Sequence, residues 1–160
     1  MNGAFIMNDS LRLLFVCTGN ICRSPMAEGL MKVLLSPASD RRIIIRSAGT
    51  HAADGLPAES GAVRAAREHG ADIGGHRSRA IDGSMIARAD LILVMERQQA
   101  RFIRSTAHVS PDALRLLGEF AGGAGIPEIP DPYGGSLAVY RHCAQMIRGC
   151  LDGVIDFICQ

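Results

Sequence analysis

Residues 11–30, LRLLFVCTGNICRSPMAEGL, carry the feature that most constrains the fold. Leu11 to Val16 is an apolar run with almost no polar alternation, the mark of a strand buried on both faces. It ends at Cys17, a turn of small and polar residues follows, and Pro25 suits the first turn of a helix whose apolar positions are Met26, Ala27, Leu30, Met31 and Leu34. A strand, a tight loop and a helix in immediate succession place the Cys17 sulfur at the carboxyl end of a strand. There it faces loop amides and a helix N-terminus, an arrangement suited to binding a tetrahedral oxyanion.

Further strand and helix patterns alternate along the chain. Arg42 to Arg46 brackets the apolar triplet 43–45, with a turn expected over Ser47-Ala48-Gly49-Thr50. Pro57 is expected to open a helix with Ala62, Val63 and Ala66 on one face and Gly70 as its stop. A short helix end at Ile86–Ala89, a third buried strand at Asp90–Met95 and a helix from Glu96 to Ser105 come next. Leu114 to Leu117 reads as a weaker fourth strand and 118–125 as a glycine-rich loop. The last segment carries Leu137, Tyr140, Ala144, Ile147, Leu151, Val154 and Ile158 at alternating spacings of three and four, one apolar helical stripe. The expected fold is α/β: a four-stranded parallel sheet with helices on both faces and the cysteine loop after the first strand. Ligands of such sheets sit at the carboxyl ends of the strands, near a topological switch point.

At 160 residues the chain reads as a short N-terminal extension (1–10) and one domain (11–160). A net charge of +1 gives no broad footprint for nucleic acid or anionic membrane, and no apolar run approaches the roughly 18 residues of a membrane span. The first ten residues have no secretory pattern. Five cysteines, an odd number without paired C-x-x-C spacing, favour reduced thiols and a cytoplasmic location and disfavour a zinc site. No metal and no cofactor is expected.

Each position of CTGNICRS suits nucleophilic attack on an oxyanion ester. Loop N–H dipoles from Thr18, Gly19, Asn20, Ile21, Cys22 and Ser24 favour thiolate at Cys17 and bind the anion at once. Arg23 adds a planar fork for two oxygens, and the Ser24 hydroxyl is placed to donate to sulfur. Gly19 and Asn20 tolerate the left-handed backbone that a curled loop needs. The plain alternative is a structural cysteine at a strand end with Arg23 on the surface. The preceding strand, the following helix and the Gly-Asn pair all weigh against it.

VCTGNICRSPMAE resembles the signature of the low-molecular-weight protein tyrosine phosphatases. The resemblance continues through RSAGT at 46–50, REHGADIGGHRSR at 67–79, DLILVMER at 90–97 and DPYGG at 131–135. It implies a phosphotyrosine protein phosphatase working through a cysteinyl-phosphate. Cys17 would be the nucleophile, Arg23 and the loop amides the phosphate ligands, and Asp131 the general acid and then base. From the residues alone, Asp131 is equally well a cap in the turn Asp-Pro-Tyr-Gly-Gly. The resemblance also implies that Asn20, Ser47 and His76 hydrogen-bond one another to hold the loop; unaided, His76 reads as a surface histidine. Ile21 and Tyr133 would wall the substrate pocket, which carries fewer aromatics than is usual in the family. Cys22 is either a small loop-filling side chain or, as the resemblance implies, a resolving thiol that protects oxidised Cys17. The expected partners are phosphotyrosine proteins and a cognate bacterial tyrosine kinase.

Three rival functions share these features. An arsenate reductase needs two further redox cysteines, but Cys143 and Cys150 lie seven residues apart on a helix, roughly 10 Å along its axis. A disulfide requires Cα atoms within about 7 Å. A protein arginine phosphatase resembles the loop with threonine in place of Ile21, and Ile21 suits a phenyl ring better. A non-catalytic phosphate-binding module does not account for Cys17, Arg23 and Asp131 together.

Overall fold

The computed structural model describes residues 10–35, 41–123 and 127–160. Four strands, β1 (Ser10–Cys17), β2 (Arg42–Gly49), β3 (Leu91–Val94) and β4 (Leu114–Leu116), form one sheet in the order β2-β1-β3-β4. All three pairings are parallel. The helices are α1 (Arg23–Leu34), α2 (Ser60–Glu68), α3 (Gly83–Arg88), α4 (Arg97–Thr106) and α5 (Leu137–Ile158).

Strand alternation divides the interior in two. Leu11, Leu13, Phe15 and Cys17 of β1 join Leu91 and Leu93 of β3 on the face covered by α1, α2 and α5. Leu14, Val16, Ile92 and Val94 point the other way, towards Ile86 of α3 and Ala100 and Ile103 of α4. From Leu13 to Cys17 the run of β1 is apolar and buried on both faces, whereas Arg12 before it is exposed. The α5 stripe is buried as its periodicity predicts, except for half-buried Leu137, and it also carries the buried thiols Cys143 and Cys150. No helix among the described residues is long and apolar enough to cross a membrane.

The structure moves several expected boundaries. Ser47, Ala48 and Gly49 are not a turn: β2 runs through them, and Gly49 pairs with Cys17. The helix expected at Pro57 starts at Ser60, because 51–59 is an irregular segment, turning at Gly55 (φ +86°), that is tied to the cysteine loop, with His51 N–H donating to the Thr18 carbonyl and Glu59 N–H to that of Ile21. Leu117–Phe120 forms a 3-10 turn where the end of β4 and then loop were expected, and 124–126 lie outside the described residues. Of the expected N-terminal extension, 1–9 lie outside the described residues, while Ser10 already pairs with Arg42. Gly70 ends α2 with φ +83°, as a glycine stop should.

Candidate active site

The chain leaves β1 at Cys17 and curls through 18–22 before α1 begins at Arg23. Asn20 makes the curl possible: it is the one non-glycine residue of positive φ among the described residues, at +54°. Its N–H then points at sulfur, donating to Cys17 Sγ at 3.2 Å. Ser24 Oγ, in the first turn of α1, lies 3.0 Å from the same sulfur. The N–H groups of Gly19, Ile21 and Cys22 donate to no protein acceptor among the described residues, which leaves them available to an anion.

The loop is braced from β2 and its following segment. Asn20 Nδ2 donates to Ser24 Oγ (2.8 Å) and Ser47 Oγ (3.0 Å), and its Oδ1 accepts the Arg79 N–H (2.9 Å). His76 Nε2 lies 2.7 Å from the Asn20 carbonyl oxygen, so this histidine is bonded to the loop backbone rather than left on the surface. Ser47 donates onward to Glu28 Oε2 at 2.5 Å. Gly49 is required here, since a Cβ would come within 2.5 Å of the Thr18 carbonyl oxygen.

The other side is held from β3. Arg23, only 2% exposed, pairs with Glu96, which follows β3, and donates from Nη1 to the Ile129 carbonyl at 2.8 Å. Its Nη2 lies 3.5 Å from Asp131 Oδ2. The other Asp131 oxygen accepts the Tyr133 N–H at 3.1 Å, so the aspartate is both a turn residue and a carboxylate facing the loop arginine. Asp131 is about half exposed (49%) and Tyr133 more so (65%), while Ile21 is half-buried. Gln99 is a further brace: Oε1 accepts the N–H groups of Met95 and Glu96, and Nε2 donates to Thr18 Oγ1 at 3.2 Å.

Cys22 is buried in the same cluster as Cys17, with its Sγ 3.6 Å from the Tyr140 hydroxyl. Burial pushes its thiol from the usual 9.0 up to about 12, although the Tyr140 hydroxyl works in the opposite direction. Burial likewise pushes Cys143 to about 12 and Cys150 to about 11. Cys143 and Cys150 sit on one unbroken helix, and all five cysteines are free thiols. No cluster of three or more potential metal ligands occurs among the described residues.

A sulfur at a strand end, curled amides, a buried arginine and a facing carboxylate make an arrangement suited to holding an oxyanion beside a thiol. The family model for low molecular weight phosphotyrosine protein phosphatases matches residues 12–157. The chain belongs to this phosphatase family. A probable low molecular weight protein-tyrosine-phosphatase, EpsP of Ralstonia nicotianae, is 39% identical over 146 residues, covering 91% of this chain and 94% of the relative. The crystal structure of a low molecular weight protein tyrosine phosphatase from T. tengcongensis superposes with a TM-score of 0.82 at 38% identity, covering 92% of this chain and 99% of that one. A protein-arginine-phosphatase of Bacillus subtilis is 35% identical over 129 residues, covering 81% of this chain and 84% of its own.

Within this phosphatase fold, Glu96, Gln99, Glu28 and Tyr140 were not singled out from the sequence as site residues. Glu96 had a legible signal: a buried arginine needs a counter-charge. A carboxylate at the carboxyl end of the strand beside β1 is well placed to supply it.

Proposed function

We propose that this phosphatase hydrolyses phosphotyrosine in proteins, with Cys17 attacking phosphorus to form a cysteinyl-phosphate. The observation that carries the reading is the convergence of Ser24 Oγ and the Asn20 N–H on Cys17 Sγ, beside a guanidinium that also faces Asp131. As the P–S bond forms, the ester P–O bond breaks, and Asp131 delivers its proton to the departing phenolate. Arg23 and the free loop amides hold the equatorial oxygens as charge redistributes. Asp131, now a carboxylate, takes a proton from the water that cleaves the P–S bond, and thiolate leaves towards the Ser24 hydroxyl.

Ile21 and Tyr133 favour an aromatic leaving group, since a half-buried aliphatic and an exposed phenol ring offer apolar contact to a phenyl ring. Asn20, Ser47 and His76 act as positioning residues for sulfur and loop. A tyrosine kinase in the same cell is the proposed opposing partner. Five free thiols are in keeping with a reducing, cytoplasmic setting.

The test is a panel of phosphotyrosine, phosphoserine and phosphoarginine peptides and arsenate, assayed with wild type, Cys17→Ser and Asp131→Asn. Turnover of phosphotyrosine alone is expected, lost in Cys17→Ser and slowed about 10²–10⁴-fold in Asp131→Asn. Turnover of phosphoarginine alone, or of arsenate with thioredoxin, would overturn the substrate assignment. Retained activity in Cys17→Ser would overturn the mechanism.

A further inference from the structure

Strand alternation brings a second charged site to the opposite side of the sheet from α1 and α5. Arg12 and Leu14 of β1 share that face with their register partners Ile44 and Arg46 of β2. Over β3 the face is covered by Ile86, Ala100 and Ile103. Over β2 a groove of about 300 Å³ remains, floored by Leu14, Ile44 and Met85 and edged by four arginines, Arg12, Arg46, Arg79 and Arg88.

None of the four guanidinium groups has an ion-pair partner among the described residues, whereas Arg23, Arg97, Arg115, Arg141 and Arg148 each pair with a carboxylate. Arg46 and Arg88 reach only main-chain oxygens, of Ile45 at 3.4 Å and Ser84 at 3.3 Å. The nearby carboxylates Asp54, Asp82 and Asp90 accept the N–H groups of Ala80, Met85 and Arg12; they offset part of the positive field without meeting a groove guanidinium directly. The four guanidinium groups are exposed and make no direct ion pair among the described residues, so their donors are open to an anionic occupant of the groove.

We propose that this groove binds a compact, multiply phosphorylated small molecule with an apolar or planar body, of the nucleoside polyphosphate class, and that the bound ligand acts on the cysteine loop through Arg79. Guanidinium forks suit phosphate oxygens bidentately and also stack on planar rings. The apolar floor gives the body of the ligand a surface that a bare ion would not use. The volume lies at the small-molecule end of known sites. A net charge of +1 does not supply the broad basic stripe of a nucleic-acid surface.

Arg79 links groove and loop. Its side chain edges the groove, its N–H donates to Asn20 Oδ1 at 2.9 Å, and its carbonyl accepts the Gly49 N–H at 2.9 Å. A ligand that draws on this side chain therefore bears on the residue whose N–H faces Cys17. The coupling rests on the proposed catalytic role of the loop, whereas binding does not.

Magnesium-free ATP, tripolyphosphate and adenosine should be titrated by calorimetry into wild type and Arg46→Ala/Arg88→Ala, with Arg46→Gln as a milder variant and thermal unfolding as the check on folding. ATP should bind wild type, and the double variant should bind it about tenfold or more weaker, as expected for loss of charge-assisted hydrogen bonds. Tripolyphosphate should bind less tightly than ATP, and adenosine not measurably. ATP should also change kcat for an aryl phosphate in wild type and leave it unchanged in the double variant, whereas competition at Cys17 would alter KM alone. Equal ATP affinity in wild type and in folded variants would overturn the site, and tripolyphosphate as tight as ATP would overturn the role of the apolar floor. Binding without a change in kcat would overturn the coupling.

Discussion

Asn20 offers the sharpest test of how the loop is held. Its side chain is fully buried and makes three hydrogen bonds, to Ser24 Oγ, to Ser47 Oγ and from the Arg79 N–H. At about 1 kcal/mol net for each bond, Asn20→Ala forfeits roughly 3 kcal/mol. Alanine at φ +54° adds roughly 1 kcal/mol of backbone strain that asparagine largely avoids. The expected loss is about 4 kcal/mol, or about 8–16 °C in Tm at 2–4 °C per kcal/mol for a domain of this size. Asn20→Gly separates the two causes: it loses the same bonds and trades strain for roughly 0.5–1 kcal/mol of unfolded-chain entropy. It should therefore remain at least about 3 kcal/mol below wild type. The chain has no tryptophan, so urea unfolding is best followed by far-UV circular dichroism. Both variants should lose kcat as well, because the Asn20 N–H that faces sulfur is no longer fixed. A glycine variant as stable as wild type would refute the reasoning, since strain alone would then explain the alanine result.

Alkaline pH should destabilise the fold through its buried thiols. Cys22, Cys143 and Cys150 are raised from 9.0 to about 12, 12 and 11 by burial, so their protons are held more tightly in the folded chain. That stability is fully present below pH about 9 and is lost as pH rises towards 11–12, so urea midpoints should be lower at pH 10 than at pH 8; equal midpoints would contradict it. Glu96→Gln removes the main counter-charge of buried Arg23 and should lower stability by about 1–3 kcal/mol. It also removes an anion that competes for the same guanidinium, so competitive inhibition by inorganic phosphate should strengthen; weaker inhibition would count against the competition. Peroxide inactivation should reverse with dithiothreitol in wild type and become irreversible in Cys22→Ser, and equal recovery would leave Cys22 as a loop filler.

What could be read in advance depended on whether a residue's partners were near in sequence. The β1–loop–α1 unit was legible because its strand, curl and helix are consecutive, and α5 because its stripe repeats along one helix. Ser47-Ala48-Gly49 read as a turn from composition, yet β2 runs through them, and Gly49 is small because the strand passes closely by Thr18 and Asn20. Pro57 looked like a helix start, but Gly55 and Glu59 are committed to Ser78 and Ile21 before α2 can begin. Glu96 and Gln99 went unmarked because their partners, Arg23 and Thr18, lie 73 and 81 residues away.

The sheet order explains why both clamps meet at the loop. The chain leaves β1 for β2 on one side and later crosses to β3 on the other, so β1 is the switch point and its end lies between two neighbouring strand ends. The β2 side supplies Ser47, Gly49 and the segment with His76 and Arg79, all acting on Asn20 and the sulfur. The β3 side supplies Glu96 and Gln99 and, through the Ile129 N–H bonded to the Met95 carbonyl, anchors the segment carrying Asp131. The proposed nucleophile, Cys17, and the proposed acid, Asp131, are therefore set by different neighbours of one strand. Loosening the β2 side should displace the sulfur while leaving Arg23 and Asp131 in register, and loosening the β3 side should do the reverse.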